Sequence, residues 1–240
     1  MSSEIEHIEY DRDVNPYPSF GKKYNWEKAI ISMTSWKMRI NTCSKTLYSL
    51  LKQCPGFHIV LVLSEEEFPK MMDELPDTLK LFVDNELIEV LWVYKNYRAF
   101  KKVLFTMSKY ENIPIISADD DCVYTCNYAQ ILYDEWLKYP ECNITNDGSS
   151  EKEIFKWGRG PNTLYSPNFT KYADFLLTKL PKISYNDDDI FYGAVCKKAN
   201  IKYIDIHNKC MYSFHSQIEP LSKHSKKPFS FLTKYFLSVV

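Results

Sequence analysis

Nowhere does the chain carry an apolar run approaching the length of a membrane span, which excludes a membrane-crossing helix within these 240 residues. It has no excess of either charge: 30 Lys and Arg face 31 Asp and Glu, for a formal net charge of -1. The overall basic signature of a nucleic-acid binder is therefore missing. The seven cysteines (43, 54, 122, 126, 142, 196 and 210) form no CxxC pair, so neither a zinc ribbon nor a disulfide framework is indicated. Met1 to Lys23 is too polar for a secretory signal, and reduced thiols in a cytoplasmic compartment are the expectation. There is no internal repeat and no low-complexity tract. No Ser-His-Asp or Cys-His nucleophile arrangement is legible. "GRGP" (158–161) is too short for a phosphate-cradling glycine loop and lacks its strand-turn-helix setting.

What is present is the composition of a globular domain, with 45% apolar and 25% charged residues. The length suits one well-buried domain, or one domain with a small appendage. Aromatics reach 15%, with 18 Tyr and 14 Phe, which suits a polar-tipped aromatic cleft or an aromatic core equally. Residues 1–25 are polar, broken by Pro16 and Pro18, and read as a lead-in. Short apolar runs at 28–33, 57–64, 87–94 and 113–117 then predict strands. Between them, "CSKTLYSLLKQC" places Leu47, Leu50, Leu51 and Cys54 at helical spacing, ended by Pro55-Gly56. "EEEFPKMMDEL" predicts a short helix or helical turn, and "FKKVLFTMSKY" and "YAQILYDEWLKYP" predict helices. Strands alternating with amphipathic helices favour a largely parallel α/β sheet. Residues 141–169 read as a long loop or small hairpin, "YADFLLTKL" as a helix, 184–200 as a turn leading into a helix, and "IKYIDI" as a strand.

The sharpest feature is "IISADDDCVY" (115–124), where Asp119, Asp120 and Asp121 follow an apolar strand. Ligands of open parallel sheets bind at the carboxyl ends of strands. Three adjacent carboxylates there push one another's pKa up unless a positive charge shares the space. Mg2+ or Mn2+ would supply it, since hard cations prefer oxygen ligands and complete their shells with substrate phosphates. The alternative is a hydrated acidic loop or helix start, where Asp is a common cap.

Several further segments occur in a particular order. They are Thr34-Ser35-Trp36 with Arg39, "LSEEEFP" (63–69), "AFKKV" (99–103), "ADDD" (118–121), "LYSP" (164–167) and Asp188-Asp189-Ile190-Phe191. In this set the chain resembles the nucleotide-sugar-dependent glycosyltransferases of the GT-A type, closest to small bacterial polysaccharide and lipopolysaccharide transferases, over about residues 28 to 205. Phe100 departs from the tyrosine usual in the family, and "GPNTLYSP" is less glycine-rich than the family form.

The resemblance implies a GT-A fold, α/β and Rossmann-like, with a mostly parallel central sheet flanked by helices. It implies a nucleotide-sugar-binding half over about residues 26–125, an acceptor-binding half over 126–215, and a tail over 216–240. Asp119 would approach the ribose, Asp121 would ligate a divalent Mn2+ or Mg2+ ion together with Asp119, and Asp120 would touch ribose or sugar. Thr34, Ser35 and Trp36 would hold the nucleotide, with Trp36 either stacking on the base or serving as an ordinary half-buried aromatic. Arg39, Arg98 and Lys101 are the cations expected near the leaving diphosphate.

Asp187 to Asp189 form a second acidic cluster. One Asp satisfies helix capping; the others are available to orient acceptor hydroxyls or to take the hydroxyl proton in an inverting transfer, with Asp188 first and Asp189 second. His207 and His215 are candidate third metal ligands, His215 having the more loop-like setting. The tail alternates Lys223, Lys226, Lys227 and Lys234 with Phe229, Phe231, Tyr235 and Phe236. It would rest on an anionic membrane surface or pack as an ordinary C-terminal helix. The expected activity is hexosyl transfer from a nucleotide-sugar, with uracil the expected base by analogy, to a glycan or lipid-linked glycan. The competing readings are nucleotidyl transfer or nucleotide hydrolysis, and a non-catalytic glycan-binding protein.

Overall fold

The computed structural model describes residues 28–151, 155–158, 161–184, 187–207, 212–215 and 227–240. The lead-in expected over residues 1–25, Arg159 and Gly160 of "GRGP", and Lys223 and Lys226 of the tail lie outside the described residues. The strands are β1 (Ala29–Thr34), β2 (Phe57–Ser64), β3 (Glu89–Val93), β4 (Ile115–Asp119), β5 (Cys122–Tyr124), β6 (Asn143–Thr145), β7 (Gly148–Glu151), β8 (Phe155–Gly158), β9 (Thr163–Tyr165), β10 (Tyr203–Asp205) and β11 (Tyr212–Phe214). Seven of them form one sheet in the order β10-β6-β9-β4-β1-β2-β3, while β5 pairs with β11 and β7 with β8. All pairings in the large sheet are parallel except those of β9, which runs against both β4 and β6.

Helices α1 (Cys43–Leu51), α2 (Asp77–Asp84), α3 (Lys101–Lys109), α4 (Tyr128–Lys138), α5 (Pro167–Thr170), α6 (Ala173–Lys179), α7 (Asp188–Ala199) and α8 (Phe229–Val239) cover both faces of the sheet. The two-residue period of a strand decides which face each side chain serves. Ala29, Ile31 and Met33 of β1 join the core under α1, α2 and α4. Ile30 points to the opposite core, built with α3, α5, α6, α7 and α8. Because both faces are covered, β1 and β2 read as nearly unbroken apolar runs rather than alternating ones. The result is a single mixed α/β domain with a largely parallel central sheet flanked by helices.

The expected strands and helices of the first half fall where periodicity put them, and α2 is an addition. Residues 141–169 differ more. They do contain a small hairpin, β7–β8, but they also send β6 and β9 into the central sheet. Each of those strands has three residues, too short for a period to show. Helix α8 buries Leu232, Thr233 and Phe236, packing as a C-terminal helix against the core, with Lys227, Phe231 and Lys234 exposed. Among the described residues no helix is long and apolar enough to cross a membrane.

The order of strands positions the site. From β1 the chain steps outward through β2 and β3, then α3 carries it back so that β4 lies on the other side of β1. The carboxyl ends of β1 and β4 are therefore neighbours at the point where the winding reverses, the crevice that open α/β sheets use for ligands. In register, Thr34 lies opposite Asp119.

Candidate active site at the β1–β4 switch point

Two loops leave the sheet side by side, Ser35 to Thr42 after β1 and Asp120-Asp121 after β4. Thr34 Oγ1 donates to the Val62 carbonyl at 2.7 Å, which fixes the end of β1 to β2. Ser35 Oγ donates to Asp120 Oδ2 at 2.6 Å, tying the two loops together. The next residues turn tightly, since the Trp36 carbonyl accepts the Arg39 and Ile40 N–H groups, and this turn brings Arg39 back over the aspartates. Arg39 Nη1 then lies 2.7 Å from Asp121 Oδ2 and 3.1 Å from Asp120 Oδ1. Trp36 itself is half-buried.

Arg39, Asp120 and Asp121 are all buried, at 7%, 3% and 7% exposure. Burial pushes the Asp120 carboxyl up to about 6, against the opposing pull of Arg39 and the Ser35 hydroxyl. Arg39 Nε is buried and has no hydrogen-bond partner, so the guanidinium retains an unused donor in the site.

The second acidic cluster reaches the same place from the far half of the chain. Asp188 and Asp189 occupy the first turn of α7, where the helix dipole favours negative charge. Asp188 is buried, and Asp189 is half-buried. Lys102 joins the clusters: its Nζ lies 2.8 Å from Asp119 Oδ1 and 3.3 Å from Asp188 Oδ2. Burial opposes the ammonium charge, but Asp119, Asp188 and Asp189 outweigh it and hold the Lys102 pKa well above its ordinary value. Burial likewise raises the Asp188 carboxyl, with Lys102 pulling the other way.

Sequence reasoning passed over Lys102 and chose its neighbour. Lys101 points instead toward the end of β2, where its Nζ meets Glu67 Oε2 at 2.9 Å and Glu67 also accepts from Ser64 Oγ. Successive residues on a helix differ by about 100° in direction, so the two lysines of "FKKV" serve different strand ends. The phase of α3 separates them, and nothing in those four residues announces it. Arg98 is exposed, in the left-handed region at φ 50°, and its backbone N–H donates to Asn96 Oδ1. No ion pair joins it to the aspartates among the described residues.

His215 stands beside Asp121, its N–H donating to the Asp121 carbonyl at 2.9 Å across the β5–β11 edge. Thr46 Oγ1 donates to the Cys122 carbonyl at 2.6 Å, so at its 3.0 Å contact with His215 Nε2 it is the acceptor. That contact puts the imidazole proton on Nε2 and leaves a lone pair on Nδ1, which is buried without a hydrogen-bond partner. Burial, then the nearby charge of Lys45, lowers the His215 pKa and favours this neutral form. His207 is exposed, with Nδ1 3.5 Å from Asp205 Oδ1, in the loop after β10.

Among the described residues, no three or more His, Cys, Asp and Glu side chains gather closely enough to hold a metal. Asp119 and Asp121 stand at the strand end as carboxylate donors, and a divalent ion bound there would take most of its shell from a diphosphate and water rather than from a protein cage.

No protein-family model matches the chain. No curated protein sequence matches it. Solved structures do. The chain is similar to Staphylococcus aureus TarS in complex with UDP-GlcNAc, with a TM-score of 0.58 and 12% identity over 89% of this chain and 66% of that one. It is also similar to the mannosyltransferase PcManGT from Pyrobaculum calidifontis in complex with GDP-Man and Mn2+, with a TM-score of 0.56 and 9% identity over 85% of this chain and 63% of that one. The chain thus spans less than two thirds of the length of either structure. At such identities the likeness concerns backbone architecture alone, and it shows that this chain shares its fold with a mannosyltransferase and with a protein bound to UDP-GlcNAc.

Proposed function

We propose that the chain is a nucleotide-sugar-dependent glycosyltransferase of the GT-A type. It transfers a hexosyl group, with inversion, from a nucleoside diphosphate sugar to a hydroxyl of a glycan or lipid-linked glycan. The observation that supports this reading best is the meeting of Asp119 to Asp121, at the carboxyl end of β4, with Asp188 from the opposite half of the chain. A donor half and an acceptor half divided near residue 125 would meet at this point. The shared fold with structures bound to UDP-GlcNAc and GDP-Man adds support, and uracil is the base we assign.

In this reading Asp121 and Asp119, with His215 as the third candidate, would hold a Mn2+ or Mg2+ ion, which would supply positive charge to the leaving diphosphate. The half-buried Trp36 offers a ring to the base, and Ser35, Thr34 and Asp120 shape the ribose side. Arg39 carries its buried charge close to where the leaving group becomes negative. Asp188 accepts the acceptor-hydroxyl proton while that oxygen bonds to the anomeric carbon. The bond from that carbon to the diphosphate breaks, and its electron pair leaves with the diphosphate. A carboxyl raised by burial is a stronger base than an exposed one, which suits the role. Asp189, one residue further along α7, orients the acceptor.

One observation favours a second reading. Arg39 and Lys102 already neutralise the aspartates without any metal, as they would in a non-catalytic glycan-binding protein. A panel of nucleotide-sugars tested with Mn2+ for binding and turnover separates the two. Metal-dependent binding of a nucleoside diphosphate supports the transferase, and its absence across the panel supports the second reading. Asp121→Asn should lower turnover roughly a hundredfold or more, the scale of losing one group that stabilises transition-state charge. Full activity in that variant would overturn the metal assignment.

A further inference from the structure

Lys102 is 4% exposed, and burying an ammonium between carboxylates is costly unless the geometry is held tightly. Here it is held at both ends. At the root, the Lys102 carbonyl accepts from Ser32 Oγ of β1 and from Thr106 Oγ1 of its own helix at 3.2 Å, while Ser32 Oγ and Thr106 Oγ1 lie 2.6 Å apart. At the tip, Nζ reaches Asp119 on β4 at 2.8 Å and Asp188 on α7 at 3.3 Å. The Lys102 carbonyl therefore anchors this point of α3 to the middle of β1, while its side chain ties the end of β4 to the start of α7.

We propose that Lys102 is a positioning residue that sets where the Asp188 carboxylate stands relative to the donor end of the site. The inference rests on the glycosyltransferase reading and deepens it. Asp188 arrives from the far half of the chain, at the N-terminal turn of a helix that follows residues 180–187. The ammonium is the ion-pair partner that links its carboxylate to Asp119 at the end of β4. A base must lie within hydrogen-bond reach of the hydroxyl it deprotonates, and a displacement of about 1 Å costs on the order of a hundredfold in rate. Lys102 supplies the fixed distance. It donates a hydrogen bond to Asp119 and holds Asp188 by charge at 3.3 Å, and a lysine ammonium has no acceptor atom, so it orients both carboxylates without competing for the acceptor's proton.

The test uses K102M, K102R, D188N and K102M/D188N in the full chain. UDP binding with Mn2+ is followed by calorimetry, and turnover by UDP release from the donor that the panel identifies. K102M should bind UDP within about threefold of wild type while kcat falls about a hundredfold, because the loss is in placement of the base. K102R, which can still span both carboxylates, should recover about tenfold of that loss. K102M/D188N, with its charge balance restored, should melt closer to wild type than K102M does, and should turn over like D188N, since nothing is left to position. Wild-type turnover by K102M would overturn the inference. So would a double variant slower than D188N by the whole K102M factor, or equal losses in binding and kcat. A wild-type protein that neither binds nor turns over any donor overturns the glycosyltransferase reading and this inference together; the other outcomes strike the inference alone.

Discussion

Replacing Arg39 with methionine removes the guanidinium that lies 2.7 Å from Asp121 Oδ2 and 3.1 Å from Asp120 Oδ1, and leaves two buried carboxylates facing each other. Removing one partner of a buried ion pair costs about 3–5 kcal/mol, mostly as the penalty of the stranded charge. In a domain of this size that corresponds to a melting temperature lower by roughly 6–20 °C. The penalty should depend on pH. With Arg39 present, burial already raises Asp120 from 3.8 to about 6. A carboxyl raised on folding binds more protons folded than unfolded, so its cost is absent below pH 3.8 and grows as pH rises through the folded value. Without Arg39 that value moves higher still, so R39M should lose more stability at pH 8 than at pH 5. Urea unfolding of both proteins at the two pH values measures this. Saturating Mn2+ with UDP should also stabilise R39M more than wild type, because a cation would replace the one removed. A penalty below 1 kcal/mol, or one equal at both pH values, would refute the claim that Arg39 neutralises these carboxylates.

Two further predictions concern the scaffold. A Cβ at Gly158 would sit 2.0 Å from Thr163 Oγ1 and 2.9 Å from Thr145 Oγ1, so Gly158→Ala should cost about 2–3 kcal/mol by chemical denaturation. Thr163→Ala in the same chain should recover part of that loss, which a cost arising elsewhere would not allow. At the opposite end of the sheet, Glu89 accepts from Tyr110 and Lys109 and lies 2.9 Å from His58 Nε2. Burial alone would raise Glu89, but the hydrogen bonds from His58, Lys109 and Tyr110 outweigh it and hold it at about 2. A depressed carboxyl stabilises the fold above its unfolded value of 4.5, and that contribution fades as pH falls toward 2. Glu89→Gln should therefore cost about 1 kcal/mol at pH 7, after allowance for screening at this partly exposed group, and progressively less under acid. A difference from wild type that does not shrink on acidification would refute the assignment.

Much of the first half was legible because its cues are local. Apolar runs marked β1, β2, β3 and β4, and helical spacing marked α1, α3 and α4, since each element writes its own period into neighbouring residues. The chemistry of Asp119 to Asp121 was legible for the same reason: a carboxylate run after a buried strand poses its charge problem within ten residues. In the second half α6, α7 and β10 fall where they were expected, while β6 and β9 escaped notice because each has only three residues, too few to show a period.

Residue types and spacing alone determined an α/β chain with acids at a strand end. The tertiary structure decided which charges answer those acids. It turned Arg39 back onto Asp120 and Asp121, and gave Lys101 to Glu67. It brought Asp188 across the chain to Lys102 beside Asp119. Those choices depend on the winding reversal between β1 and β4 and on the rotation of α3. Both are set by packing among residues far apart in sequence, where no local pattern can record them.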